Sequence, residues 1–460
     1  MKITRKLTRR SFLAQSTATL FTAASWKAVA GANERVRLGL IGFGLIGRIH
    51  ARSFKQLPNA EFMGLAEVYQ PRLDAGVHFL GGKATGYRDF RHLLERKDLD
   101  AVIIATPDHW HCLMLMMACS AGKDVYLEKP ISLFVREGRW MSDCASRHGR
   151  VVQVGTQNRS GPNFKRAREL IRSGKIGEVV AVQNNSSRNI MPGFGSPPDS
   201  EPPRELDWEM WLGPAPLRPY NSNRAIYHFR WFWDYSGGQM TNLGHHSFDL
   251  IHWILGVKAP LAVQSSGGRW FAKDNCEVPD VQDAIHEYQR LNVVSQYREV
   301  AASGRSAQGT GLTFQGTKGG LAMSRNGFEI LPDTKTHPNN TVSSIMGGHP
   351  VGGPQPIAEE RGQTWTEKVK DESGNGTRDL LEHARDFLNC VRSRKQPVSP
   401  LEESHHISTA CHLANISLRI GRKIKWDAAT ESIMGDEEAA RMLERPYRAP
   451  WDAELRALRG

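Results

Sequence analysis

From Val36 onward, short apolar runs alternate with longer stretches in which apolar positions recur at helical spacing. The short runs are Val36 to Ile41, Phe62 to Ala66, Ala101 to Ala105, Asp124 to Leu127 and Val151 to Val154. Runs of this length suit strands buried on both faces, and a helical stretch between each pair supplies the crossover that parallel strands require. The order predicts a doubly wound α/β domain, with helices on both faces of a parallel sheet. The last run ends near Gly155, and the domain is set at residues 33–157.

Phe164 to Ser173 reads as a linking helix. Beyond Val179 the β-type runs stop alternating regularly with helices, which predicts an α+β domain over 158–460 with a largely antiparallel, open sheet. Residues 190–219 and 332–356 are rich in proline and glycine and read as long surface loops, the kind of segment that shapes binding sites. Glu382 to Arg392 and His405 to Arg419 carry helical spacing, each with one face for the sheet. No internal repeat is present, so a solenoid or propeller is not supported.

Composition agrees with this picture: 460 residues, 40% apolar and 23% charged, are enough for two cores in a globular α/β chain. The net charge of +12 is concentrated at the start, because Lys2, Arg5, Lys6, Arg9, Arg10 and Lys27 precede residue 31 with no acid between them. Without them the charge is +6 and the basic residues are interspersed with acids, which argues against a nucleic-acid partner. Cys112, Cys119, Cys144, Cys276, Cys390 and Cys411 form no C-x-x-C pair and read as small core residues; their spacing selects neither a disulfide nor a zinc site. No later segment reaches 18 consecutive apolar residues, so no stable membrane span is expected.

Chemistry first shows at Gly42-Phe43-Gly44-Leu45-Ile46-Gly47, directly after a β-type run and at the opening of a helix. In that context the first glycine permits a tight turn, the second lets backbone approach a pyrophosphate, the third allows close helix packing, and the helix N-terminus offers unpaired N–H donors. Glu67 follows Gly47 by 20 residues, where an acid accepts hydrogen bonds from ribose hydroxyls and favours NAD over NADP; nearby Arg72 keeps NADP open.

Two further stretches carry a family resemblance. Gly122-Lys123-Asp124-Val125-Tyr126-Leu127-Glu128-Lys129-Pro130, preceded by Thr106-Pro107-Asp108-His109-Trp110-His111, is similar to the G-K-x-V-x-x-E-K-P and T-P-x-x-x-H motifs of the glucose-fructose oxidoreductase/inositol dehydrogenase (Gfo/Idh/MocA) family. Gly237 to Asp249 resembles that family's glycine-rich motif with its active-site histidine. The resemblance covers essentially all of the chain after the first thirty residues. It implies hydride transfer between a sugar or cyclitol carbon and nicotinamide, with Lys129 polarising the reacting hydroxyl and His246 as general base or acid. It extends the cofactor set to Thr106, Pro107, His109, His111, Glu128, Lys129 and Gln157.

The family often has an acid at the position of Asn242, and an amide cannot balance a charged lysine. Asp249, three residues after His246, is one replacement. Tyr227, Arg230, Trp231 and Trp233, with Trp208 and Trp211, offer aromatic faces and donors for a polyhydroxylated ring, or else fill the domain junction. His245, Asp249 and His252 fall on one helical face, but packing explains that spacing equally well and the chemistry needs no metal.

Thr8-Arg9-Arg10-Ser11-Phe12-Leu13 resembles the twin-arginine export signal, and Ala28-Val29-Ala30 and Ala30-Gly31-Ala32 each offer a small-x-small cleavage site. Residues 1–32 are therefore expected to be a signal peptide read by the twin-arginine machinery, with a periplasmic or otherwise exported destination. Such export carries folded proteins, so the cofactor would load first and stay bound. A bound cofactor invites sugar-to-sugar transfer as a variant. NAD-dependent glycoside hydrolysis by transient oxidation and elimination is the alternative from a second reaction class, and a non-enzymatic cofactor-binding sensor is a third. A dimer or tetramer is expected from the open sheet.

Overall fold

The computed structural model describes residues 35–301, 311–333 and 363–459. The expected signal at 1–32 and most of the expected loop at 332–356 lie outside the described residues.

Six strands, β1 (Val36–Ile41), β2 (Ala60–Ala66), β3 (Thr85–Tyr87), β4 (Ala101–Ile104), β5 (Asp124–Leu127) and β6 (Val152–Val154), form one sheet in the order β3-β2-β1-β4-β5-β6. Every neighbouring pair is parallel. Helices α1 (Leu45–Lys55), α2 (Gln70–Leu80), α3 (Phe90–Leu94), α4 (Asp108–Ser120) and α5 (Val135–Arg147) make the crossovers. β4 and β5 are buried along their whole length, as continuous apolar runs require. The edge strand β3 was not anticipated, because its Thr-Gly-Tyr sequence is short, polar and largely outside the core. Strand order reverses between β1 and β4, so the loops leaving their carboxyl ends diverge and open a crevice.

Helix α6 (Pro162–Arg172) leads into the second sheet, made of β7 (Val179–Ser187), β8 (Ala262–Gly268), β9 (Val281–Tyr288), β10 (Leu291–Arg298), β11 (Gly311–Gly316), β12 (Gly319–Ser324), β13 (Gly327–Pro332), β14 (Val369–Asp371), β15 (Ile424–Asp427) and β16 (Ser432–Ile433). Its order is β14-β13-β12-β11-β7-β10-β9-β8-β15-β16. All neighbours are antiparallel except β7 and β10. The other α-helices of the described residues are α7 (Trp208–Leu212), α8 (Gly238–Asn242), α9 (Gly244–Leu255), α10 (Gly376–Ser393), α11 (Leu401–Ile420), α12 (Glu437–Arg441) and α13 (Trp451–Arg459). Phe164 of α6, Phe248 of α9 and Leu413 of α11 pack on Val182, Val293 and Phe314 to cover one sheet face. The alternating burial of β9 and β10 is the matching half of that core.

The two expected C-terminal helices part company. α11 covers the second sheet, but α10 packs on the first domain, where Phe387 meets Phe54 and Tyr126 edge-on at centroid distances of 6.2 and 5.7 Å. α13 also returns there, setting Trp451 edge-on to Trp110 at 4.9 Å. Helical spacing shows that one face is buried and not which surface receives it. Residues 190–219 are likewise anchored rather than free: Asp207 N donates to Val68 O at 3.0 Å and Gln70 N to Glu205 O at 3.0 Å, which lays this segment over the carboxyl end of β2. Among the described residues, no helix is long and apolar enough to cross a membrane.

Candidate functional site

The turn after β1 is shaped by the absence of side chains. Gly42 has φ +91°, and a Cβ there would sit 2.7 Å from Ala105 O; a Cβ on Gly47 would sit 2.2 Å from Gly42 O. Only glycine fits at either place. A Cβ on Gly44 would meet nothing nearer than Arg72 Nη1 at 3.7 Å, so the middle glycine faces open space. Gly44 is the N-cap of α1, no side chain caps the helix and no acid lies in its first turn, which leaves backbone N–H donors for an anion.

Glu67 closes the turn from the end of β2. Its carboxylate accepts from Phe43 N at 2.8 Å and Tyr69 N at 3.1 Å. A cleft of about 880 Å³ opens here, lined by Gly42, Gly44, Leu45, Ile46, Glu67, Thr106 and Pro107, all expected, and also by Arg72, Arg88, Trp110 and Met114. Its opposite wall is Leu206, Met210, Trp211, Ile226, Tyr227, Phe229 and Arg230 from the anchored segment and the turn after it. The buried Thr106 hydroxyl has no hydrogen-bond partner. An open glycine cradle, uncapped helix donors, a ribose-side acid and an orphaned hydroxyl fit a dinucleotide.

Several expected cofactor residues act as supports instead. Phe43 and Gly47 form the turn without lining the cleft. His109 is buried against Trp211 and Tyr235, with Nε2 3.1 Å from Trp211 O, and burial pushes its pKa down to about 3. This corrects its place in the cofactor set: the helix turns that ring into the aromatic core and not into the cleft. His111 bridges two loops, with Nδ1 2.7 Å from Pro130 O and Nε2 3.0 Å from Thr106 O. Glu128 is buried; its Oε1 lies 2.5 Å from His50 Nε2 and its Oε2 accepts from Lys129 N at 3.0 Å. Burial alone would raise the Glu128 pKa, but His50 and Lys129 hold it below the ordinary range. Gln157 is half-buried at the start of a short 3₁₀ turn, Gln157–Ser160.

Lys129 and the glycine-rich motif do come together. Lys129 Nζ donates to Asn242 Oδ1 at 2.9 Å and to Asn242 O at 3.2 Å. Burial lowers the Lys129 pKa to about 8; Glu128 and Asp108 oppose the shift, while Arg230 and Arg325 add to it. His246 follows on α9, is buried, and is held well below its ordinary pKa first by burial and then by the Lys129 charge. Its Nδ1 has no partner. Asp108, Arg325, Gln239 and Glu299 around this centre were given no role by the sequence; Asp108 lies inside the T-P-x-x-x-H string and Gln239 inside the Gly237 to Asp249 stretch, so those two were within reach.

Three expected substrate residues sit elsewhere. Asp249 is fully buried and its Oδ1 accepts from Arg159 Nε at 2.9 Å, so it serves an internal ion pair and does not replace an acid beside Lys129. Trp231 is 4% exposed and donates its indole N–H to Glu299. Trp233 stacks under Arg419 in a separate hollow with Phe134 and His412. Tyr227 and Arg230 do line the cleft, with Tyr227 49% exposed. His245, Asp249 and His252 face Ser408, Arg159 and Tyr288 respectively, so the spacing does not gather them around one point. His405, His406 and Glu431 do approach one another, with Arg139 already bonded to Glu431.

This arrangement can be set beside known proteins. The model of the Gfo/Idh/MocA oxidoreductase family's NAD-binding Rossmann fold matches residues 36–156, and that of its C-terminal alpha/beta domain matches 190–266 and 372–453. The chain is 25% identical over 254 residues to the uncharacterized oxidoreductase YrbE of Bacillus subtilis, covering 55% of this chain and 63% of that protein. It is 30% identical over 151 residues to the myo-inositol 2-dehydrogenase of Thermotoga maritima, covering 33% and 45%. The matched part thus spans about half the length of these relatives. Its fold resembles levoglucosan dehydrogenase in complex with NADH and L-sorbose, with TM-score 0.65, 16% identity and coverage of 85% of this chain and 99% of that one. The match to the oxidoreductase domain protein from Kribbella flavida has TM-score 0.64 at 19% identity, with the same coverage of both chains. The two family matches together span more than half of the chain, which belongs to the Gfo/Idh/MocA oxidoreductase family and carries its NAD-binding Rossmann domain followed by its C-terminal α/β domain.

Proposed function

We propose that the protein is an NAD-dependent dehydrogenase that oxidises a hydroxyl-bearing carbon of a sugar or cyclitol. The observation that carries this reading is the contact of Lys129 with Asn242, one helical turn before a buried neutral His246, with Arg230 of the cleft wall near enough to act on the Lys129 charge. The N–H donors of the glycine turn would hold the pyrophosphate and Glu67 the adenosine ribose, with Thr106 and Pro107 in the same cleft wall. When bound, NAD supplies the acceptor for hydride at its nicotinamide. The carbon bearing a hydroxyl gives up hydride more readily as the hydroxyl proton leaves, the C–H and O–H bonds breaking as C=O forms, so a proton acceptor near that hydroxyl sets the rate. His246 is neutral but too weakly basic to keep that proton; it accepts a hydrogen bond and orients the hydroxyl. Lys129, with a pKa of about 8, is matched to neutral pH and takes the proton through its free position. Tyr227 and Arg230 offer a ring face and donors to the substrate.

The likeness to an inositol dehydrogenase and to a levoglucosan dehydrogenase supports the substrate class. The test is NADH formation by the purified protein on a panel of sugars, cyclitols and glycosides with added NAD. Net NADH on at least one polyol is expected. Release of aglycone without net NADH would replace this reading with glycoside hydrolysis, and turnover by retained cofactor alone would indicate tight binding and sugar-to-sugar transfer. The twin-arginine string at Thr8 to Leu13 supports export of the folded, loaded protein. Changing Arg9 and Arg10 together to lysine should leave it in the cytoplasmic fraction. Val180, Ile285 and Leu331, exposed on strands of the second sheet, support a dimer or tetramer, which light scattering measures.

A further inference from the structure

We propose that Glu299 is a positioning residue for Lys129, acting through the side-chain amides of Gln239 and Asn242. The inference rests on the reading of Lys129 as the proton-exchanging group and adds what aims it. Glu299 lies just past β10 and is 1% exposed. Its Oε1 accepts from Gln239 Nε2 at 2.7 Å and Arg188 Nε at 2.9 Å, and its Oε2 from Trp231 Nε1 at 2.5 Å. Asn242 Nδ2 in turn donates to Gln239 Oε1 at 3.0 Å, and Asn242 Oδ1 accepts from Lys129 at 2.9 Å.

The direction of this chain follows from its far end. An ionised carboxylate has no hydrogen to give, so Gln239 must turn its NH₂ toward Glu299 and its oxygen toward Asn242. Asn242 must then spend its NH₂ on Gln239, which leaves only its oxygen for Lys129. Without that hold, an amide at position 242 could also turn its NH₂ to the lone pair of a neutral Lys129 amine, since its oxygen and nitrogen are nearly the same size. Lys129 Nζ therefore meets two fixed acceptors, the side-chain and backbone oxygens of Asn242. Two of its N–H bonds are spoken for, and the third position, a proton or a lone pair, has no partner among the described residues.

The relay supplies orientation without a charge next to Lys129. Glu299 is neutralised by Arg188, two amides away from the amine. An acid at 242 would favour the ammonium form, whereas the amide leaves burial to dominate. The other charged and titratable groups acting on Lys129 are Glu128 and Asp108, which favour its charged form, and Arg230 and Arg325, which oppose it; His246 beside them feels the Lys129 and Arg325 charges in turn. None of these is a member of the relay.

Gln239→Leu removes the middle of the relay and Glu299→Leu its far acceptor, and either frees Asn242 to present its NH₂ to the amine. The readout that needs no substrate is the pH midpoint for trace acetylation of Lys129 by acetic anhydride, followed by mass spectrometry on the intact folded chain. In both variants the midpoint should fall by about one pH unit, because a donor facing the ammonium disfavours it. On any turned-over polyol, kcat should fall about tenfold with KM little changed. Adding Asn242→Asp, which accepts in either orientation, should return the midpoint to the parent value or above and recover kcat, something a loosened fold around Trp231 would not do. If Glu299→Leu does not fold, Gln239→Leu, which leaves Glu299 on Arg188 and Trp231, decides alone. An unmoved midpoint, or a loss that Asn242→Asp does not mend, overturns the proposal. Failure to turn over any polyol would overturn the proposed function instead, and the acetylation midpoint would still decide the relay.

Discussion

At the glycine-turn end of the proposed site the groups facing the cleft are backbone donors from a few consecutive residues, whereas at the Lys129 end the contacts are between side chains brought together across 113 positions. The first end depends on where side chains are missing: Gly42 and Gly47 leave room for backbone, and Gly44 leaves room for ligand. The second depends on every polar atom having the right partner, since Lys129, Asn242, Gln239 and Glu299 are each satisfied by the next. A steric end fails when something is added and a polar end when something is removed. The two should therefore break separately, the first in cofactor affinity and the second in the chemical step.

The largest effect expected is at the polar end. Lys129→Met keeps the stem and removes the amine, and should lower kcat by about 10³-fold while leaving NADH affinity nearly unchanged. Stopped-flow turnover and NADH fluorescence titration on one preparation separate the two quantities; a matching loss of NADH affinity would mean that Lys129 serves the cofactor and not the proton. Gly47→Ala is the complementary lesion. Its Cβ falls 2.2 Å from Gly42 O, so the turn must shift, and NADH affinity should weaken by about 10²-fold. Turnover at saturating NAD should survive.

The pH profile comes next. Burial takes Lys129 below its ordinary range to about 8, so below that pH the amine form falls about tenfold per unit. If the amine takes the hydroxyl proton, kcat/KM for oxidation should rise through pH 6 and 7 and level off above about 8. His246 is already neutral across that range and should add no acidic limb of its own. A profile that falls above pH 8 would reverse the assignment and make the ammonium the working form.

The same contrast explains what could be read in the chain before its structure. The turn was legible because its requirements are local: a buried run, three spaced glycines, a helix and an acid 20 residues on all appear within one stretch. Lys129, Asn242 and His246 could be named only through motifs, and of the groups around them only Asp108 and Gln239 fall inside those motifs. Glu299 lies just past β10 and Arg325 in the turn after β12, and nothing in their neighbours' spacing points at Lys129. Asp249 shows the converse. Its position on the same helix as His246 suggested a role beside it, but α9 turns it toward Arg159, whose buried guanidinium no sequence pattern announced. Trp231 and Trp233 are adjacent to cleft residues in sequence and face a carboxylate and a separate hollow in space, because the chain there is an irregular turn with no period to count. The sheet orders were predictable as classes, while β3 and the destination of α10 depended on packing partners far along the chain.

The smallest predicted effect tests the one side chain that joins the two kinds of construction. Glu67 is an acid within the steric end, held by Phe43 N–H and Tyr69 N–H, with Arg72 and Arg88 on the same cleft wall. Burial lowers the Arg72 pKa while the Glu67 charge opposes it, so the two are close enough to compete for whatever lies between them. With the acid present, a 2′-phosphate meets a like charge and NAD is preferred. Glu67→Gln keeps the length of the side chain and an acceptor for one of the two N–H groups, and removes the charge. NADH affinity should fall by about fivefold, on the order of 1 kcal/mol for a single charged acceptor lost, while NADPH affinity rises as the arginines lose their competitor. Fluorescence titration with both dinucleotides measures the ratio directly. An unchanged ratio would mean that Glu67 braces the turn through Phe43 and takes no part in choosing the cofactor, and the glycine end would then be steric throughout.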